Sequence, residues 1–193
     1  MTRTITANVY MTLDGYGEFP EYYGSNYTPA EPDEMWKLMW SDRYDSVDTV
    51  IFGRRSFEGH VRVHRLEARK PDDPWYMFDY SRYLDRVQKV VLSHSLKETD
   101  WQNTRFLSGP LEEIVAQLKS EPGKNIMVDG GPTLVNEFLE KGLADEYRMA
   151  IWPVVYGRGP SYWPKLQNQR TLRLLSAKTM PFGELVLHYQ AVR

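Results

Sequence analysis

The chain is predicted to be an α/β protein, with a mixed, mostly parallel central sheet flanked by helices and a C-terminal antiparallel hairpin. Three observations carry this. Short apolar runs at residues 4–12, 49–52, 87–92 and 126–128 alternate with segments of helical periodicity, the pattern of strands joined by crossover helices and therefore paired in parallel. Two of these runs lead within two residues into glycine and then a helix start. The C-terminal stretch holds two alternating runs around Pro181-Phe-Gly183, which reads as a hairpin.

Taken in order, Ile5, Ala7, Val9, Met11 and Leu13 alternate with Thr4, Thr6, Asn8, Tyr10 and Thr12, predicting a strand over about residues 4–12. Leu13-Asp14-Gly15-Tyr16-Gly17 is a turn cluster that opens an aromatic, polar loop to about Pro29. Glu31-Pro32-Asp33-Glu34 reads as an acidic helix start, with Trp36, Met39, Trp40, Tyr44 and Val47 on one face. Aromatics so placed are more often core than ligand platform. Thr49–Phe52 is the next strand, followed at once by Gly53-Arg54-Arg55-Ser56-Phe57-Glu58-Gly59. Guanidinium forks match phosphate oxygens, and Ser56 can cap a helix or donate to phosphate. The alternative is that the arginines are solvated or paired with Glu58.

From His60 to about residue 85 the composition turns to Arg, His, Asp, Pro and aromatics. That is too long for a simple connection, so a single domain over residues 1–193 with an insertion or lid at about 60–85 is expected. Its Tyr76, Phe78, Tyr80 and Tyr83 are placed to cover a pocket or a partner surface. A basic and aromatic mixture also suits single-stranded nucleic acid, but acidic residues are scattered through it. Val87–Leu92 is a strand ending in Ser93-His94-Ser95, and Thr104–Leu107 is another. Leu111, Ile114, Val115 and Leu118 follow amphipathic helical spacing up to Pro122-Gly123.

Asn125 to Gly142 then holds a strand, a glycine turn and a helix in one run. Ile126, Met127 and Val128 are apolar; Gly130 and Gly131 punctuate; Pro132 suits a first helical position, where its missing N–H is no loss. Leu134, Val135, Phe138 and Leu139 form the inward face, and Gly142 stands where a left-handed residue ends a helix. Bare N–H groups at such a turn bind phosphate well, though a plain tight turn fits the same residues. Asp145–Tyr156 is predicted as a long strand that Pro153 bends or places at an edge. Residues 171–178 and 184–192 close the chain as an antiparallel hairpin with one buried face.

At 193 residues and a formal charge of −2, there is room for a substantial core and no electrostatic case for nucleic acid. The absence of cysteine excludes disulfides and thiolate chemistry and is compatible with a reducing cytoplasm. No signal peptide or membrane-length apolar run is visible, so a cytoplasmic location is expected. His60, His64, His94 and His188 show no metal-binding pattern and read as surface residues, and no metal site is expected. There is no Gly-x-Ser-x-Gly elbow and no phosphate-loop signature, while cofactor-borne hydride transfer passes this filter.

Val9-Tyr-Met-Thr-Leu-Asp-Gly15, Ile51-Phe-Gly-Arg-Arg-Ser-Phe-Glu-Gly59, Val91-Leu-Ser-His-Ser95, Val128-Asp-Gly-Gly-Pro-Thr-Leu134 and Asp145–Val155 occur in one order. That order resembles the dihydrofolate reductase-like superfamily, in the branch of the bacterial riboflavin-biosynthesis reductase domain, the RibD C-terminal domain. It covers nearly the whole chain apart from residues 60–85. The resemblance implies an NADPH-dependent reductase of a small pyrimidine- or pterin-like heteroaromatic, similar to 5-amino-6-(5-phosphoribosylamino)uracil reductase. Such an enzyme acts on CH–NH or C=N type bonds, or on a ribosyl carbonyl.

Carried over by position, Gly53, Arg54, Arg55 and Ser56 hold the adenosine-side phosphates, and Ser93 and Ser95 lie near the adenosine end. Gly130, Gly131, Pro132 and Thr133 receive the pyrophosphate, and Leu13, Asp14 and Gly15 line the nicotinamide and substrate side. Asp14, Asp33 and Glu34 are the candidate proton donors. Folate reductases join the paired glycines by a cis peptide, so a cis Gly130–Gly131 bond is implied too. Family members commonly pair, and Trp152, Tyr156, Tyr162 and Trp163 offer aromatic surface for a homodimer or else core beneath the last hairpin. Two other readings stay open: a non-catalytic nucleotide- or metabolite-binding protein on the same fold, and an interaction module using the aromatic insertion.

Overall fold

The computed structural model describes residues 2–17, 37, 40, 43–163, 169–180 and 183–192. In chain order the elements are β1 (Ile5–Thr12), β2 (Val47–Gly53), α1 (Arg54–His64), a 3-10 turn (Leu66–Ala68), α2 (Trp75–Arg86), β3 (Gln88–Leu92), β4 (Thr104–Leu107), α3 (Leu111–Ser120), β5 (Asn125–Val128), α4 (Pro132–Glu140), β6 (Glu146–Trp152), β7 (Leu172–Thr179) and β8 (Leu185–Ala191). The strands form one sheet in the order β4-β3-β2-β5-β1-β6-β8-β7. Pairing is parallel from β4 through β6 and antiparallel at β6–β8 and β8–β7.

The period of two along each strand splits the interior into two cores. Ile5, Ala7, Val9 and Met11 of β1 join Ile51, Val90, Ile126 and Val128 against α3 and α4, whose Leu118, Val135 and Phe138 are fully covered. Their strand neighbours Val50, Phe52, Val91 and Met127 face the other way, against Phe57 of α1 and Tyr80, Tyr83 and Leu84 of α2. Helices on both faces bury a parallel sheet twice over, which is why the central strands read as apolar runs.

Several sequence-based expectations change here. The stretch expected to be an insertion or lid begins inside α1 and ends in the core. Tyr80, Tyr83 and Leu84 are at most 2% exposed, and Tyr83 stacks on Tyr44 with centroids 4.3 Å apart. Val47, assigned to a helix face, is instead the first residue of β2 and pairs with Asn125. Trp40 and Tyr44 are core, whereas Trp36, Met39 and the acidic helix start lie outside the described residues.

The long strand predicted over Asp145–Tyr156 stops at Trp152, because Pro153 has no N–H to continue the ladder. The closing hairpin has no fully buried face: nearly all of β7 is exposed, and Leu174 and Leu175 stand at 51% and 44%. Of the four aromatics offered as dimer surface or core, Trp152 is core with Tyr156 packed against the same cluster, Tyr162 belongs to the other core, and Trp163, 6.3 Å from Tyr162 between ring centroids, is 37% exposed.

Candidate active site

Four neighbouring strands, β3, β2, β5 and β1, release their chains on the same edge of the sheet. In parallel α/β sheets that carboxyl edge is where ligands sit. The β3 exit carries Ser93 and Ser95, the β2 exit Gly53–Ser56, the β5 exit Asp129–Thr133 and the β1 exit Leu13–Gly17. Sheet order thus sets side by side segments that are far apart in the chain.

Side chains bridge the exits. Arg54 of α1 donates an N–H to Ser95 Oγ at 2.9 Å, joining β2 to β3, and lies 3.3 Å from the Glu58 carboxylate one turn on. Both alternatives for this arginine are therefore realised at once, with half of each side chain exposed. Arg55 is exposed and makes no hydrogen bond or ion pair among the described residues. Ser56 Oγ donates to the carbonyl of Asp129 at 2.8 Å, joining β2 to β5. Ser93 Oγ accepts the Leu96 N–H at 2.8 Å, so this serine braces its own turn.

At the β5 exit, Gly131 precedes α4 in extended backbone and Pro132 takes the first helical position. Among the described residues the N–H groups of Gly130, Gly131 and Thr133 are taken up by no backbone carbonyl. They are the donors a helix N-terminus leaves free for an anion. Gly130 is required sterically, since a Cβ there would sit 2.8 Å from Leu134 Cδ2 and 2.9 Å from its Cβ. The implied cis bond is not found: the described chain has no cis peptide, and Gly130–Gly131 is trans. Gly131 at φ −67° and ψ 177° leads into the helix through ordinary extended geometry.

The β1 exit closes the edge. A Cβ on Gly17 would meet Pro132 Cγ and Tyr162 Cε2 at 2.8 Å, so this loop lies against the start of α4. Gly15 has φ +85°, a backbone that favours glycine, and Trp163 fills the space where a side chain would stand. Leu13 is 61% exposed and its N–H donates to the Val154 carbonyl at 2.8 Å. Asp14 accepts from Thr12 Oγ1 at 2.6 Å and from the Tyr156 and Gly157 N–H groups at 3.0 and 2.7 Å. The Thr12 hydrogen bond, with those of the backbone, holds its carboxyl below the usual range. Asp14 therefore stays ionised and works as a brace between two loops. Asp33 and Glu34 lie outside the described residues.

One constellation was missed from the sequence. Asp129 is 6% exposed, and its Oδ2 accepts the Tyr80 hydroxyl at 2.9 Å and lies 3.0 Å from His60 Nε2. The other ring nitrogen, Nδ1, lies 2.8 Å from the Ser56 carbonyl. With an acceptor beside each nitrogen, the protonated ring can donate to both at once. Burial opposes its charge, but the Asp129 hydrogen bond and charge and the Ser56 carbonyl outweigh it, and the His60 pKa is raised. His64, one turn on, has no such partner; burial, aided by His60 and Arg69, drives its pKa down to about 2. Both histidines are partly buried, so the surface assignment is corrected. The signal was present: Ser56, His60 and His64 recur every four residues and mark one polar stripe on α1.

The donor set suits a nucleotide cofactor: free backbone N–H groups at α4, two guanidiniums at α1 and a hydroxyl beside them. Among the described residues no cluster of His, Asp and Glu could hold a metal ion, and no helix is long and apolar enough to cross a membrane.

Residues 3–186 match the model of the RibD C-terminal domain family, which covers the 60–85 stretch as well. YyaP, an uncharacterized protein of Bacillus subtilis, is 30% identical over 194 residues, 97% of this chain and 95% of the relative. Among solved structures, a pyrimidine reductase-like protein from Corynebacterium diphtheriae superposes with a TM-score of 0.67 at 16% identity, over 99% of this chain and 92% of that one. The diaminohydroxyphosphoribosylaminopyrimidine deaminase/5-amino-6-(5-phosphoribosylamino)uracil reductase of Thermotoga maritima gives 0.66 at 13% identity, over 99% of this chain and 57% of that one. The last two likenesses speak for the fold. The chain belongs to the RibD C-terminal domain family.

Proposed function

We propose that this family member is an NADPH-dependent reductase of a small heteroaromatic, pyrimidine- or pterin-like substrate. The observation that carries the reading is the run of adjacent strand exits β3-β2-β5, bearing hydroxyls, guanidiniums and free N–H groups in that order, with the β1 exit beside them. Three steps of about 4.8 Å between strands give a span of roughly 14 Å, a length over which an extended dinucleotide can be held. Arg54, Arg55 and Ser95 would take the adenosine-side phosphates. Gly130, Gly131 and Thr133 would donate to the pyrophosphate. Leu13 and Gly15 would border the nicotinamide, which when bound supplies the hydride. The acceptor would be a C=N bond or a ribosyl carbonyl, as in 5-amino-6-(5-phosphoribosylamino)uracil reduction.

NADPH and NADH titrations against the wild type and the Arg54→Ala, Arg55→Ala double variant test the cofactor assignment. Wild type should prefer NADPH and the variant should lose the preference; equal or absent binding in wild type would overturn it. Turnover is then read as NADPH oxidation across pyrimidine and pterin substrates. Binding without turnover would favour the second reading, a nucleotide- or metabolite-binding protein without catalysis. What favours that reading is Asp14, a candidate proton donor committed instead to three hydrogen-bond donors. We place the protein in the cytoplasm as a homodimer, for which the exposed β7 edge with Leu174 and Leu175 offers surface; sedimentation reads the oligomeric state directly.

A further inference from the structure

We propose that Asp129 is a positioning residue for the Gly130–Gly131 turn, and that it keeps the turn in its anion-binding register only as the partner of protonated His60. The proposal rests on the nucleotide reading above and names a control on that same site.

Asp129 is the last residue before the turn, and it is tied from three directions. Its N–H donates to the Ile51 carbonyl at 2.9 Å and its carbonyl accepts from Ser56 at 2.8 Å. Its carboxylate accepts from Tyr80 of α2 and His60 of α1. β2, α1 and α2 are thereby all referred to one residue, and the free donors of α4 begin immediately after it. Where the turn sits relative to Arg54 and Arg55 is decided here.

The chemistry of the pair makes this arrangement conditional. A neutral His60 ring has one N–H and one lone pair, so it can keep only one of its two contacts as a hydrogen bond. With the proton on Nδ1 the lone pair faces the Asp129 oxygen at 3.0 Å; with the proton on Nε2 it faces the Ser56 carbonyl at 2.8 Å. Either way two acceptors meet and repel, at Asp129 itself or at Ser56, whose hydroxyl holds the Asp129 carbonyl. Loss of the imidazolium also leaves an uncompensated carboxylate one residue from the turn, where it opposes a phosphate.

No other described cation stands ready to replace His60. The groups facing it are Asp129 from the β5 exit, Tyr80 from α2 at 3.3 Å and His64 from its own helix, with rings 5.0 Å apart. β2 contributes the apolar ring of Phe52, centroids 4.7 Å away. Arg69 acts on His64 from beyond it and is engaged by Asp73 at 3.3 Å.

The probe is NADPH, with its Kd on the full chain measured from about pH 6 to about pH 9, the range in which a histidine of raised pKa gives up its proton. The midpoint of His60 itself is read from its ring-proton resonance. Wild-type Kd should rise by about tenfold with increasing pH, within the usual range of coupling between linked sites, and its midpoint should coincide with that of His60. His60→Gln should be flat with pH, and Asp129→Asn should lower the His60 midpoint. Tyr80→Phe, which leaves the ion pair, should keep the slope. A flat wild-type profile, a slope that survives His60→Gln, or midpoints that disagree would overturn the proposal. The wild-type comparison of midpoints stands even if a variant does not fold. Absence of NADPH binding at every pH would remove the nucleotide seat and this proposal together, whereas pH-independent binding removes the proposal alone.

Discussion

The two edges of the sheet use arginine in opposite ways. At the amino edge Arg3, with only 3% of its side chain exposed, donates to the Lys124 carbonyl at 2.5 Å, the Leu118 carbonyl at 3.1 Å, Thr49 Oγ1 at 2.6 Å and the Asp48 carboxylate. It fastens the start of β1 to β2 and to the connection from α3 to β5. At the carboxyl edge Arg54 is half exposed and Arg55 stands in solvent. A cleft of about 510 Å³ opens beside Arg3, lined also by Asp48, Arg86, Asn103 and Glu121. Its charges are already answered: Glu121 pairs with Arg105 at 2.7 Å, and Arg86 donates to the Tyr44 carbonyl at 3.2 Å. The difference is that the amino-edge charges are consumed in holding the fold, whereas among the described residues Arg55 and the N–H groups of Gly130, Gly131 and Thr133 at the carboxyl edge are not.

Breaking the amino edge should have the largest effect on stability. Arg3→Met strands a carboxylate, a hydroxyl and two carbonyls, and is expected to cost about 3 kcal/mol, the lower end for a broken buried pair because Asp48 is 38% exposed. Urea denaturation measures it, and a loss below about 1 kcal/mol would place Arg3 with ordinary surface pairs. Gly130→Ala probes the opposite edge. Contacts of 2.8 and 2.9 Å to Leu134 force the turn to move, at about 1–3 kcal/mol, and NADPH binding should weaken with it.

A subtler contrast lies within α1. His64 has a folded pKa of about 2 against 6.5 unfolded, so below pH 6.5 the unfolded chain takes up a proton that the folded chain refuses. Stability from this residue is lost as pH falls through 6.5. His60, with its pKa raised, contributes stability that is full below 6.5 and is lost as pH rises through its folded value. His64→Gln should therefore flatten the acid limb of stability against pH and leave the limb above 6.5 unchanged; an unaltered acid limb would show that His64 is not held neutral.

The smallest expected effect is the most telling for the comparison. The Arg54→Ala, Arg55→Ala double variant should change unfolding free energy by no more than about 0.5 kcal/mol, as surface substitutions do, even as it removes nucleotide preference. A large loss of stability there would make the two edges alike.

Much of this was legible in the chain itself. The strand at β4 and the start of α3 stand where alternation and periodicity place them, and Gly142, read as a left-handed helix stop, has φ +63°. The glycine-rich exits were visible because a tight turn into a helix leaves a local residue signature. The core role of α2 was not, because Tyr76, Phe78, Tyr80 and Tyr83 have the same composition whether they cover a pocket or fill an interior. The bareness of β7 escaped notice for a related reason: alternation shows that a strand has two faces, not that anything lies against them.

What residue order determined by itself is therefore the kind and succession of elements, and the tight, glycine-bearing character of the turns after β2 and β5. Those properties depend on neighbours within one turn or one pleat. The tertiary structure decided which turns are neighbours, placing β2 between β3 and β5 and β1 beyond them. It alone brought Asp129 to His60 and Tyr80, residues 69 and 49 positions away in the chain. Such meetings depend on crossovers between parallel strands and on helices packing from separate directions, and no periodicity of two or 3.6 residues carries that information.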